Sequence, residues 1–181
     1  KQTAVCLFVD KEEIGSVGNS SMEALFFENL VAEILAAQGK DPVMGLRRSF
    51  AASKVLSADV SACFDPNFPE VSEKLNSAFL GCGGTLNKYT GVRGKGGSND
   101  ANAEFLQELR ELFDREEVIW QTAELGKIDQ GGGGTIAYIL AKYGAEVVDF
   151  GVPVLSMHAP IELISKADLY ASYEAYKAFM K

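Results

Sequence analysis

The sequence predicts a three-layer α/β sandwich, in which helices cover both faces of a largely parallel sheet. Short apolar runs alternate with amphipathic stretches along the chain, which is the pattern of strand-helix-strand units. The first run, residues 3–9 (TAVCLFV), lacks polar alternation and is typical of a strand buried on both faces. The 181 residues are 47% hydrophobic and contain no repeat or linker, so we expect one domain over residues 1–181.

The elements after the first strand follow from helical periodicity, capping residues and glycines. Ser20 or Ser21 can cap a helix that Gly39 closes, and the strand after the next short helix delivers Asp59. The clearest helix carries an apolar side that includes Phe105, Leu109 and Phe113. The predicted helices are 20–39, 47–53, 101–114, 135–143 and 167–180, and the later strands are 54–58, 84–89, 118–122, 147–150 and 152–157.

Charge and cysteine content exclude several classes of function. The net charge of −8 argues against a nucleic-acid or anionic-membrane partner, because both need clustered Lys and Arg. No apolar run approaches the ~18 residues of a membrane span, so we expect a cytoplasmic protein. Cys6, Cys63 and Cys82 lack zinc-knuckle spacing and favour a reducing compartment, with Cys6 as a small core residue of the first strand.

Candidate chemistry begins where the first apolar run ends. Three carboxylates, Asp10, Glu12 and Glu13, follow it within four residues. One glutamate can bind a divalent metal ion while its neighbour takes a proton from metal-bound water, and neither residue can perform both tasks. The alternative interpretation is a solvated loop or helix start, because carboxylate clusters are common on surfaces.

Asp59 and His158 also follow predicted strands. Strand ends at one edge of a parallel sheet converge in space, so Glu13, Asp59 and His158 are candidate metal ligands. Carboxylate and imidazole donors suit zinc, manganese or cobalt. Taken singly, Asp59 could equally be a cap or turn residue, and His158, the only histidine, a satisfied core or surface group.

Three motifs in order resemble the aminopeptidase I and aspartyl aminopeptidase family of co-catalytic dizinc metallopeptidases. They are DKEEIGS at 10–16, SADVSACFDPNFPE at 57–70 and DFGVPVLSMHAPIE at 149–162. The resemblance continues through KYTGVRGKGGSNDAN and WQTAELGKIDQGGGGTIAYILA, so it covers nearly the whole chain. Three separate motifs are far more specific than any one of them.

The resemblance implies an aminopeptidase that removes N-terminal residues from peptides, with a zinc-peptidase-like fold. It implies that Glu12 is the general base, that Glu13 and His158 bind one Zn²⁺, and that Asp59 binds the other. Water between the metals would attack the peptide, and Glu12 would pass its proton to the leaving amine. Family members form large homo-oligomers, and the same is expected here.

The chain departs from the family pattern in its ligand count. The family site has five protein ligands, and a histidine and a bridging aspartate lie upstream of the DKEEIGS motif, where this sequence has neither. We therefore expect residues 1–181 to be the C-terminal part of the catalytic domain, a sandwich incomplete at its N-terminal side and inactive alone. The alternatives are a non-catalytic peptide-binding or assembly module, and a small protein with a mononuclear site.

Substrate contacts are predicted at Lys88 and at the glycine run 131–134, with Gly132 and Gly133 at its centre. Lys88 is the nearest match to a substrate lysine of the aspartyl members, although it could be an ordinary strand-edge residue. The glycines could let backbone approach a bound peptide or simply cap a helix. Ala62 stands where aspartyl members carry a histidine, which argues against specificity for acidic residues.

Overall fold

Five strands form the central sheet of the computed structural model, which describes residues 2–181. The helices are α1 (Phe26–Ala37), α2 (Pro42–Ala51), α3 (Ala103–Arg115), α4 (Ala137–Ala141) and α5 (Lys166–Phe179). The strands are β1 (Lys54–Ala62), β2 (Gly84–Asn87), β3 (Tyr89–Val92), β4 (Gly96–Asp100), β5 (Trp120–Ala123), β6 (Glu146–Leu155) and β7 (Leu163–Ile164).

The sheet has the order β1-β6-β2-β5, and β7 also pairs with β6. Strand β1 runs parallel to β6 from Lys54↔Glu146 to Ala62↔Val154, and β2 runs parallel to β5. Strands β2 and β7 are antiparallel to β6. The two parallel pairings contain nine and four residue pairs and the two antiparallel ones three and two, so most of the pairing is parallel, as predicted, and β6 is the strand at which the direction changes. Strands β3 and β4 form a separate antiparallel hairpin.

Helices cover both faces of the sheet, which confirms the three-layer α/β prediction. On one face α3 and α5 pack against β6, and Phe105, Phe113 and Phe150 lie fully buried there. On the other face a second cluster joins Ile139 of α4 to Val147 of β6. Successive side chains of a strand point to opposite faces, so Val147 and Val148 serve different layers. Among residues 2–181, no helix is long and apolar enough to cross a lipid bilayer.

The predicted strand 3–9 is wrong in this structure, because the segment is irregular and mostly exposed. Phe8 is 90% exposed, and only Leu7 and Val9 pack against the cluster that contains Val55 of β1. A strand needs a neighbour for its N–H and C=O groups, and none of the sheet pairings within residues 2–181 includes this segment. Cys6 is accordingly exposed and is not a core residue.

Several other boundaries differ from the prediction. Helix α2 begins at Pro42 and not at residue 47, because the Asp41 side chain caps it by accepting from the Val43 N–H, and β6 is one strand where two were predicted. Helix α1 begins at Phe26, because the Ser21 hydroxyl donates to the Gly18 carbonyl oxygen at 2.8 Å within a turn instead of capping a helix. Strand β1 runs to Ala62 because it pairs with β6 along its whole length. Asp59 therefore lies inside β1, opposite Gly151, and does not follow the strand.

Candidate active site

The two adjacent glutamates lie on a single tight turn. Residues Glu12–Ile14 form one turn of 3-10 helix, and the Gly15 N–H donates to the Glu12 carbonyl oxygen at 2.9 Å. Lys11 before the turn and Ser16 after it both have left-handed backbone, with φ of 61° and 57°. Such backbone costs a residue with a side chain roughly 1–2 kcal/mol. Strain of this kind collects at functional sites, where the surrounding structure holds it in place.

His158 lies on the loop that joins β6 to β7. Its imidazole Nε2 is 3.3 Å from Oε2 of Glu13, so the contact joins the end of the sheet to the glutamate turn. His158 and Ser156 also have left-handed backbone, with φ of 67° and 58°. Both side chains of the contact face solvent, and the His158 side chain is 67% exposed.

Asp59 and Glu12 occupy the more buried side of the same cluster. Burial raises the pKa of the Asp59 carboxyl, the Val60 N–H at 2.7 Å opposes the rise, and the charges of Glu13 and His158 also act on it. Burial also raises the pKa of Glu12, with further increases from the charges of Asp59 and Glu13. Four predicted site residues, Glu12, Glu13, Asp59 and His158, therefore lie within electrostatic reach of one another.

The Glu13–His158 pair fits a zinc ion in donor type and in spacing. A tetrahedral zinc ion with ligands at about 2.0–2.1 Å separates two donor atoms by about 3.3 Å, which matches the 3.3 Å between Glu13 Oε2 and His158 Nε2. A catalytic zinc usually has three protein ligands. Within residues 2–181, however, no group of three His, Cys, Asp or Glu side chains converges closely enough to hold a metal ion.

A buried carboxylate that the sequence analysis did not single out lies beneath the cluster. Asp149 of β6 is 1% exposed, and its two oxygens accept hydrogen bonds from Thr90 at 2.9 Å and Thr135 at 2.7 Å. Burial raises the pKa of Asp149, whereas the hydroxyl donors lower it. Its charge in turn contributes to the raised pKa of Glu12. The signal was present in the sequence, as one carboxylate inside the apolar run VVDFGVPVL.

The glycine run is shaped by its packing against the β3–β4 hairpin. The N–H groups of Gly91 and Arg93 donate to the carbonyl oxygens of Gly133 and Gly131, at 2.8 and 2.9 Å. Gly132 has φ of +92°, and a Cβ there would lie 2.7 Å from the Gly91 carbonyl oxygen. Internal packing therefore requires glycine at 132, whereas a Cβ on Gly133 would meet nothing closer than 3.8 Å.

The Lys88 side chain is paired with a residue that does not belong to the candidate site. Its ammonium group pairs with the carboxylate of Asp100, which lies opposite Tyr89 at the open end of the hairpin. Within the part of the chain that the structure describes, no ion pair or hydrogen bond joins Lys88 to Glu12, Glu13, Asp59 or His158. The structure therefore brings the four candidate metal and catalytic residues together and shows no ion pair or hydrogen bond between them and Lys88.

Comparison with known proteins agrees with the motifs. A profile of the Peptidase M18 family, described as aminopeptidase I zinc metalloprotease, matches residues 1–180. A probable M18 family aminopeptidase 1 of Clostridium acetobutylicum is 57% identical over 99% of this chain and 39% of the relative. The corresponding protein of Thermotoga maritima is 46% identical over 97% of the chain and 39% of the relative. The chain thus spans about two fifths of these curated relatives.

Solved structures share the fold. The T. maritima M18 aminopeptidase superposes with a TM-score of 0.92 over 96% of this chain and 39% of that chain, at 46% identity. The C. acetobutylicum aminopeptidase I gives a TM-score of 0.85 over 96% of this chain and 37% of that chain, at 57% identity. The S. cerevisiae mApe1 dodecamer, at 24% identity, has a TM-score of 0.70 over 94% of this chain and 36% of that chain. The resemblance seen in the motifs is therefore confirmed, and this chain belongs to the peptidase M18 family of aminopeptidase I zinc metalloproteases.

Proposed function

We propose that this chain carries part of the active site of a metal-dependent aminopeptidase, which releases N-terminal amino acids from peptides. The observation that supports the proposal most directly is the 3.3 Å approach of His158 Nε2 to Glu13 Oε2. These residues are 145 positions apart, on two loops with left-handed backbone. Their donor atoms are as far apart as two ligands of one tetrahedral zinc ion, and two further carboxylates lie next to them. A carboxylate and an imidazole in this arrangement are the donor types that such an enzyme needs.

Within this proposal, Glu13 and His158 would hold one zinc ion and Asp59 the other, with cobalt or manganese as alternatives. Bound metal would lower the pKa of water and stabilise the negative charge that develops on the peptide oxygen. Glu12 would act as the general base and later deliver the proton to the leaving amine. Its half-buried position and the charges of the neighbouring carboxylates raise its pKa, which makes its carboxylate a stronger base.

The remaining ligands would come from outside residues 2–181. No three-ligand group exists among these residues, and the curated relatives are about two and a half times as long as the matched region. We therefore propose that the chain corresponds to the C-terminal part of the catalytic domain. Alone, it would bind metal weakly and hydrolyse nothing, because metal sites depend on their full ligand set.

A bound peptide would lie near the glycine run and the hairpin. Gly133 is the better candidate for close backbone approach, because space is left around its Cα, whereas Gly132 is explained by internal packing. Lys88 would have to leave Asp100 in order to contact substrate.

The mixed apolar surface of α5, with Leu169, Tyr170 and Tyr173 exposed, would suit a homo-oligomer contact, and dodecamers occur for mApe1. We also propose that the protein is cytoplasmic.

A second candidate function, a non-catalytic binding or assembly module, is favoured by the absence of a three-ligand group within residues 2–181. The Glu12→Gln variant of the full-length protein separates the two functions, because Gln cannot accept the proton. We expect peptide hydrolysis to fall by about 10²–10⁴-fold, the usual contribution of general acid–base catalysis, with metal content by elemental mass spectrometry unchanged. Glu33→Gln, on the exposed side of α1, is the matched control. If the unsubstituted protein binds metal and hydrolyses no peptide, the module is favoured.

A further inference from the structure

The loop that presents His158 has a defined conformation. Residues 156–162, here called the His158 loop, connect β6 to β7, and the pairs Val154↔Ile164 and Leu155↔Leu163 close its base. Inside the loop the Ala159 N–H donates to the Ser156 carbonyl oxygen at 3.0 Å. The two ends of the loop are therefore fixed by antiparallel pairing, and its first turn by a local hydrogen bond.

Backbone conformation alone does not favour this arrangement. Ser156 and His158 both have left-handed backbone, with φ of 58° and 67°, although neither is glycine. Residues with a Cβ seldom adopt this region unless their surroundings hold them there. Some contact must therefore hold His158, the residue whose imidazole lies against Glu13.

The carboxylate of Glu162 supplies such a contact. It accepts a hydrogen bond from the backbone N–H of His158, from the opposite side of the loop. Hydrogen bonds between a backbone N–H and a charged carboxylate are stronger than those between neutral groups. The acceptor sits four residues after His158, at the position where the chain enters β7, so its own place is fixed by the β6–β7 pairing.

We propose that Glu162 is a positioning residue, which holds the His158 backbone so that the imidazole faces Glu13. This inference deepens the proposed function, since it names what orients one candidate metal ligand. Glu162 acts through His158 and has no role in proton transfer. Its removal would let His158 relax to right-handed or extended backbone, which would turn the imidazole away from Glu13.

The single histidine makes the inference directly measurable. In protein labelled with ¹⁵N-histidine, residues 1–181 give one backbone amide signal, that of His158. We expect Glu162→Ala to move this signal upfield and to speed its hydrogen exchange at least about tenfold, because the amide loses its carboxylate acceptor. Glu162→Gln keeps an acceptor oxygen and should restore most of the protection.

Two matched variants serve as controls. Ile161→Ala changes an exposed residue of the same loop, and Glu13→Gln changes the partner of the imidazole without touching the amide, so both should leave the amide protection unchanged. An unchanged amide in Glu162→Ala would overturn the inference, as would equal losses in Glu162→Ala and Ile161→Ala. If Glu162→Ala does not fold, the His158 amide of the Glu162→Gln variant is the test. Loss of amide protection in Glu162→Gln would contradict the proposal that the Glu162 side-chain oxygen is the acceptor.

The amide measurement needs no catalytic activity, so it separates this inference from the proposed function. In the full-length protein, Glu162→Ala should lower zinc affinity at least about tenfold, with rescue by Glu162→Gln, in line with the usual effect of residues that orient metal ligands. A responsive amide in residues 1–181, combined with a full-length protein that binds metal but lacks peptidase activity, would support the role of Glu162 and contradict the aminopeptidase proposal. An amide in residues 1–181 that does not respond to Glu162→Ala, combined with an active full-length protein, would do the reverse.

Discussion

Adjacent glycines of the glycine run should respond in opposite ways to the same substitution. In Gly132→Ala, the new Cβ would lie 2.7 Å from the Gly91 carbonyl oxygen and 2.9 Å from the Leu125 carbonyl oxygen. Both are backbone atoms, which cannot rotate away. The φ of +92° adds backbone strain. We expect a total loss of about 2–5 kcal/mol, from about 1–2 kcal/mol of strain and about 1–3 kcal/mol of overpacking.

Gly133→Ala meets neither obstacle. The nearest atom to its Cβ would be Leu125 Cδ1 at 3.8 Å, and its backbone lies outside the left-handed region. Alanine reduces the freedom of the unfolded chain, so this variant should gain about 0.4–1 kcal/mol in the free energy of unfolding. The two variants should therefore differ by about 2–6 kcal/mol although they change neighbouring residues.

Urea unfolding followed by circular dichroism measures the difference. With a slope of about 2–3 kcal/mol per molar urea, the midpoints should be separated by about 1 M or more. Equal midpoints, or a Gly133→Ala protein less stable than Gly132→Ala, would refute the packing argument. In active full-length protein, Gly133→Ala would then test the approach of peptide to the backbone, because any rise in KM could not be assigned to unfolding.

Three other substitutions test the sheet and the buried carboxylate beneath the site. Gly151→Ala should lose at least ~3 kcal/mol in the free energy of unfolding, because its Cβ would overlap the Asp59 carbonyl oxygen. The control is Gly39→Ala, where no atom lies within 4 Å of the new Cβ. A thermal midpoint of Gly151→Ala no lower than that of Gly39→Ala would contradict the prediction. Thr135→Val should be about 1.5–3 kcal/mol less stable than wild type through the lost hydrogen bond to Asp149, whereas Thr135→Ser, which keeps the hydroxyl, should recover most of that loss in urea unfolding. Burial raises the folded-state pKa of Asp149 above its ordinary 3.8, so the folded protein binds more protons and loses stability as pH rises from below 3.8 through the raised pKa. The stability of wild type relative to Asp149→Asn should therefore fall across that window, and a flat difference in unfolding free energy against pH would show that the pKa is not raised.

Local sequence patterns predicted the helices whose bounds do not depend on distant parts of the chain. Helix α3 was expected at 101–114 and is observed at Ala103–Arg115, because its apolar side chains repeat at helical spacing and pack as one face. Helix α5 likewise lies within one residue of its predicted bounds at each end. Such periodicity is contained within the segment itself, so no distant part of the chain is needed to find it.

Strand 3–9 could not be predicted in the same way. An apolar run shows that a segment can be buried, whereas a strand also needs a partner, and the partner is a property of the whole fold. Asp59 shows a related limit, since the length of β1 is set by its pairing with β6 and not by its own residues.

The closeness of the candidate residues was predictable where side-chain chemistry appears at the ends of elements, whereas their roles remain a prediction. Glu12, Glu13 and His158 follow apolar runs, and the structure brings them together with Asp59. Asp149 was not singled out, because the residues whose hydroxyl groups donate hydrogen bonds to its buried carboxylate, Thr90 and Thr135, are distant in sequence. The ion pair of Lys88 with Asp100 depends likewise on the register of the hairpin, which a lone lysine does not reveal.

The outer side of β1 has consequences for how residues 1–181 alone behave in concentrated solution. Strand β1 is the end strand of the sheet, and in the region from Gln2 to Lys181 no strand pairs with that side over its nine residues. A long row of unpaired N–H and C=O groups is a template for aggregation or strand exchange between molecules. The exposed apolar segment that contains Phe8 lies close by, through the contacts of Leu7 and Val9 with the cluster of Val55. In solutions of residues 1–181 alone, turbidity and strand exchange should therefore rise with concentration, opposed mainly by the net charge of −8, so that added salt favours association.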